Sequence, residues 1–127
     1  MAVVLCTGID AVLTQTRKLI LEGAGHKVVA TNDQKAIRSA CRRQAFDVAV
    51  IGSAATLSRK SDIASTIRRH SPYTKILDLY PAYASKTLPG ADSWLAVPVE
   101  APDELAHRVA ELASTRTRKR SRPAQAL

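Results

Sequence analysis

Asp10, Ser53 and Asp78 are the side chains whose types and positions come nearest to chemistry in this chain. A carboxylate can hold a divalent cation or move a proton, and a hydroxyl beside a glycine can accept a transferred group. Asp10 follows the apolar run Ala2 to Cys6, Ser53 follows the run Asp47 to Ile51, and Asp78 stands inside Lys75 to Leu79. Their spacing pairs no base with a nucleophile. Each has a plainer reading: Asp10 caps a helix, Ser53 solvates a turn, and Asp78 sits at a strand end or edge where hydrogen bonds satisfy it. His26 falls in a turn, His70 at a helix end and His107 in a helix, so no pair of them has metal-ligand or acid–base spacing. Cys6 and Cys41 lack CxxC spacing and read as reduced packing residues. Gly23-Ala24-Gly25 is not a dinucleotide fingerprint and no GKS or GKT sequence exists, so nucleotide binding is not supported.

The elements that hold these residues are set by the apolar pattern. The 127 residues, 46% hydrophobic, suffice for one core and are too few for two. No stretch approaches the roughly 20 apolar residues that span a bilayer. The pattern predicts a soluble, cytoplasmic protein without membrane contact. Net charge is +8, carried by 19 basic and 11 acidic side chains. Five of the basic ones (Arg116, Arg118, Lys119, Arg120 and Arg122) lie in residues 114–127, which contain no acid. That leaves about +3 on residues 1–113, read as the domain, and a basic tail without a periodic apolar face, expected to be disordered.

Ala2 to Cys6 is a valine-rich run of the kind covered on both faces in a parallel sheet. Asp10 can cap a helix through about Ala24, whose Val12, Thr16, Leu19 and Gly23, with Leu13 and Ile20 alongside, form the expected inner face. Val28 to Ala30 is a second strand, and Asn32 or Asp33 caps a helix reaching Gln44. Asp47 to Ile51 is a third strand, followed after a loop by a helix to about His70 with Ile63 and Ile67 inward. Ser71-Pro72 ends that helix. Lys75 to Leu79 and Ser93 to Ala96 are the fourth and fifth strands, with too little chain between them for a well-formed helix. Pro102, Asp103 and Glu104 open a last helix with Leu105, Val109 and Leu112 inward. The alternation predicts a doubly wound α/β domain whose chemistry belongs at the carboxyl ends of the strands.

Five segments in this order resemble one family: Gln15 to Glu22, Ala24 to Val29, Phe46 to Ile51, Gly90 to Leu95, and Pro98. Together they resemble the receiver domain of bacterial two-component response regulators over about Ala2 to Leu112. The resemblance implies a flavodoxin-like, five-stranded parallel sheet of order 2-1-3-4-5 in a single domain, with the fourth helix shortened. It also assigns positions. The family's metal-binding acidic pair falls on Gly8 and Ile9, its phosphoacceptor aspartate on Gly52, its lysine on Val97 and its hydroxyl on Tyr80 or Pro81. None of these can do the family's chemistry, and Ser53 beside Gly52 reads as a loop hydroxyl rather than a substitute acceptor.

The resemblance therefore implies a degenerate receiver: no metal, no cofactor, no enzymatic activity, and a protein partner in a phosphorelay-type signalling pathway engaged without phosphorylation. The expected partner face comprises Tyr80, Tyr83, Leu88 and Trp94, with Trp94 either in that face or fixed by packing. An alternative reading makes the chain an accessory nucleic-acid binder, since the tail cations could displace counterions from phosphates in a weak, non-specific contact. A catalyst using the same sheet edge for other chemistry is the third reading and finds no paired base and nucleophile.

Overall fold

Strands made of uninterrupted Val, Leu, Ile and Ala must be covered on both sides, and that requirement organises this chain. The structure is a computed structural model and describes residues 2–84, 87–101 and 103–114. The elements run β1 (Val3–Thr7), α1 (Ala11–Gly23), β2 (Lys27–Thr31), α2 (Gln34–Arg43), β3 (Val48–Ile51), α3 (Leu57–His70), β4 (Lys75–Pro81) and β5 (Ser93–Val97). A last helix, α4, covers residues 104–114. All neighbouring strands pair in parallel, in the order β2-β1-β3-β4-β5. This is the flavodoxin-like arrangement that the resemblance implies.

Alternation along each strand divides the core into two layers. Val4, Cys6, Val48, Val50, Leu77, Leu79 and Leu95 meet Leu21 of α1 and Leu105, Val109 and Leu112 of α4. On the other face Leu5, Ala49, Ile51 and Ile76 meet Ile37 and Cys41 of α2 and Ile63 and Ile67 of α3. The helices begin where small polar side chains take the first free amides: Asp10 accepts from Val12 and Leu13, Asp33 from Ala36, and Thr56 from Arg59.

The expected inner face of α1 is turned outward. Val12 is 75% exposed and Leu19 59%, while Thr14 and Leu21 are the buried residues of this helix. Thr14, Arg17 and Leu21 follow helical spacing around the opposite side. Between β4 and β5 the described residues form turns at 82–84 and 89–90 rather than a helix. Residues 115–127, including Arg116, Arg118, Lys119, Arg120 and Arg122, lie outside the described residues, and α4 extends through residue 114.

Candidate functional site

β1 has β2 on one side and β3 on the other, so strand order reverses there and the crevice at the carboxyl ends of β1 and β3 is the natural site. Two glycines leave these strand ends. Gly52 donates its backbone N–H to the Thr7 carbonyl at 2.9 Å, drawing the two ends together. Thr7 Oγ1 donates to the Val50 carbonyl at 2.9 Å and is buried, so its proton is committed inside the sheet.

Residues of α1 occupy the crevice. A Cβ on Gly8 would stand 2.6 Å from Thr14 Oγ1, closer than such contacts permit. That hydroxyl donates to the Asp10 carbonyl at 2.8 Å, which fixes it over Gly8. A Cβ on Gly52 would stand 3.0 Å from the Thr7 carbonyl oxygen, 3.1 Å from Gly8 Cα and 3.2 Å from Arg17 Nη1. A guanidinium thus flanks the place from which a side chain at position 52 would project. Thr14 and Arg17 account for the orientation of α1: the turn that presents them to the sheet edge places Val12 and Leu19 in solvent.

The electrostatics follow from this packing. Burial lowers the Arg17 pKa, while Cys6 in its ionised form and the Asp10 carboxylate act to raise it. Burial pushes the Cys6 thiol up to about 11, with Arg17 pulling the other way. A thiol held so high is protonated at neutral pH and is no nucleophile. The edge therefore presents a cation and two glycines. Among the described residues no three of His, Cys, Asp and Glu gather as metal ligands. Asp10 is engaged as a cap, its Oδ1 accepting from the amides of Val12 and Leu13.

Asp78 lies in the middle of β4, an interior strand, rather than at an edge or strand end, and is fully buried. Lys60 of α3, which sequence reasoning missed, reaches it: Nζ donates to Asp78 Oδ1 at 2.7 Å and to the Leu79 carbonyl at 2.8 Å. Asp78 Oδ2 accepts the Leu88 amide at 2.8 Å. The signal was present, since Lys60 precedes Ile63 and Ile67 on the inward stripe of α3, and an aspartate in an apolar strand calls for a cation on the facing helix.

Of the four residues expected to form a partner face, Leu88 is not at the surface. Leu88 is buried in the layer beneath α3, because the Asp78 bond draws its backbone inward. Tyr83 is 92% exposed, Tyr80 is half-buried, and Trp94 is 40% exposed with its indole N–H donating to the Leu88 carbonyl at 2.9 Å. Trp94 is also held through its backbone, whose carbonyl accepts from Arg108 at 2.8 Å. Gly8, Ile9, Gly52 and Val97 do lie at the carboxyl edge as expected, with Ile9 half exposed. Among the described residues no helix is long and apolar enough to cross a membrane.

Neither a protein-family model nor a curated protein matches the sequence. Solved structures do match the fold. NtrX from Brucella abortus in complex with ADP is 16% identical with a TM-score of 0.81, over 98% of this chain and 29% of that one. The chain thus spans less than a third of the length of that protein. A CheY-like response regulator receiver domain from Methanospirillum hungatei gives a TM-score of 0.78 at 16% identity, over 94% of this chain and 98% of that one. The receiver domain of a sensor histidine kinase from Pseudomonas aeruginosa, with a magnesium ion coordinated in its active-site cleft, gives 0.72 at 15% identity, over 89% of this chain and 98% of that one. The fold is that of CheY-like receiver domains.

Proposed function

We propose that this chain is a receiver-like signalling module that accepts no phosphoryl group and works through protein contacts independent of phosphorylation. The observation that carries the reading is the filling of the crevice by α1: Thr14 Oγ1 over Gly8 and the Arg17 guanidinium beside Gly52. Phosphoryl transfer relies on a placed nucleophile and on metal and cations that neutralise the oxygens. At this edge the glycine following β3 offers no oxygen, Gly8 and Ile9 offer no carboxylates, and Val97 offers no amine. The cation that is present approaches from α1 and flanks the point from which a side chain at position 52 would project. Magnesium lies in the cleft of the Pseudomonas aeruginosa receiver domain, and no equivalent anchor is supplied by these residues.

The contacts themselves are supported by the outer face of α1. Val12, Leu13, Leu19 and Ile20 of α1, with Ile9 just ahead of it, are each 40% or more exposed, a concentration of apolar surface that monomeric proteins avoid unless it is used. The reading is tested by incubating the protein with acetyl phosphate and magnesium, then recording intact mass, alongside capture of partners by the wild type and by Leu19→Lys. It expects no phosphoryl adduct and loss of the captured protein in the variant. A metal-dependent adduct overturns it.

A further inference from the structure

We infer that the groove between α1 and β5 binds a small amphipathic carboxylate, its acid group on Arg17 and its hydrocarbon portion against the sheet. The groove encloses about 210 Å³. Its walls are Leu13 and Ile20 of α1, Leu79 of β4, Leu95 and Val97 of β5 and Leu105 of α4, and Arg17 is the charged side chain of the lining. Nothing about phosphorylation enters this inference, which holds or fails independently of the signalling role.

Charge complementarity identifies the occupant. Among the described residues, Arg17 makes no hydrogen bond and no carboxylate lies within ion-pair distance of it. Asp10 acts on it only through its field, with a carboxylate oxygen already taken by two helix amides. A partly desolvated guanidinium presents a planar fork that a carboxylate meets with two parallel hydrogen bonds. The remaining wall is hydrocarbon, so a multiply charged anion such as free phosphate would leave most of its oxygens unpaired. Volume sets the size: small-molecule pockets generally run from about 300 to 1,000 Å³, so this groove suits a short-chain or single-ring acid and is too small for a long fatty acid.

The test is a titration of the full chain, with methyl groups isotopically labelled, by octanoate and by phenylacetate, with octanol as the uncharged control. Saturable shifts are expected at Leu79, Leu95 and Val97 methyls for the acids, at concentrations no higher than millimolar, and much weaker ones for octanol. Arg17→Gln should weaken binding by about tenfold or more, the scale of a charged hydrogen-bonding partner, and Arg17→Lys should restore part of it. Thr16→Trp, at an exposed helix position that also lines the groove, should block the mouth without touching the cation. Absence of saturable methyl shifts, equal binding of octanol, or unchanged affinity in Arg17→Gln would each overturn the inference.

Discussion

Lys60 Nζ and Asp78 Oδ1 stand 2.7 Å apart with both side chains essentially removed from water. The pair ties α3 to the middle of β4, and through Asp78 Oδ2 it also holds the Leu88 amide. Three donor–acceptor contacts converge on it, which keeps buried charge tolerable. Lys60→Met strands a carboxylate in the core and should lower unfolding free energy by roughly 3–5 kcal/mol. Lys60→Met combined with Asp78→Leu should recover part of that loss, because no lone charge remains. Urea denaturation of the three variants measures both, and a double variant as unstable as the sum of the singles would mean that the pair does not act as a unit.

Gly8 and Thr14 make a second packing prediction. A methyl group at position 8 meets Thr14 Oγ1 at 2.6 Å, so Gly8→Ala should cost about 1–3 kcal/mol through overpacking. Adding Thr14→Ala removes the obstruction and should make the methyl nearly free. If Gly8→Ala is as stable as wild type, α1 does not press on the strand end in the way described.

Cys6 gives a dependence on pH. Its thiol rises from 9.0 to about 11 on burial, so the folded protein favours the neutral form more than the unfolded chain does. The resulting stabilisation is complete below the unfolded value near 9.0, and fades as pH climbs through about 11. A shift of this size corresponds to roughly 3 kcal/mol. Unfolding free energy measured between those limits should fall more steeply in wild type than in Cys6→Ala, whatever the cavity cost of the substitution at neutral pH. Parallel slopes would contradict it.

How much of this was legible in the sequence depends on what each residue had to satisfy. Strand cores such as Val48 to Ile51 and caps such as Asp10 and Asp33 are local matters, and local pattern located them. The last helix packs through Leu105, Val109 and Leu112 as its spacing requires. The α1 face went astray because hydrophobicity marks a buried stripe only when nothing else competes for the inner side. Here two glycines at the strand ends leave room that Thr14 and Arg17 fill, and a threonine and an arginine carry no apolar signal. Lys60 lies on the inward stripe of α3 with Ile63 and Ile67, but a lysine carries no apolar signal. Leu88 is placed by the bond of its amide to Asp78, a long-range relationship that neither propensity nor period encodes.

The glycine after β3 can be tested by restoring a carboxylate. Gly52→Asp puts an acid 3.2 Å or so from Arg17 Nη1 at its Cβ, and the expected product is an internal ion pair rather than a phosphoacceptor. Unfolding experiments should show salt-sensitive coupling between Gly52→Asp and Arg17→Gln, and acetyl phosphate should leave the mass of the variant unchanged. A phosphoryl adduct on Gly52→Asp alone would show that Arg17 does not guard the crevice.

The most direct measurement is a titration of the isotopically labelled protein with beryllofluoride and magnesium, following the amides of Gly8, Gly52 and Val97 and the indole of Trp94. A site closed by Thr14 and Arg17 and lacking its carboxylates predicts no saturable, magnesium-dependent shift at any of the four. A saturable shift that requires both reagents and converges on Gly8 and Gly52 would contradict the account.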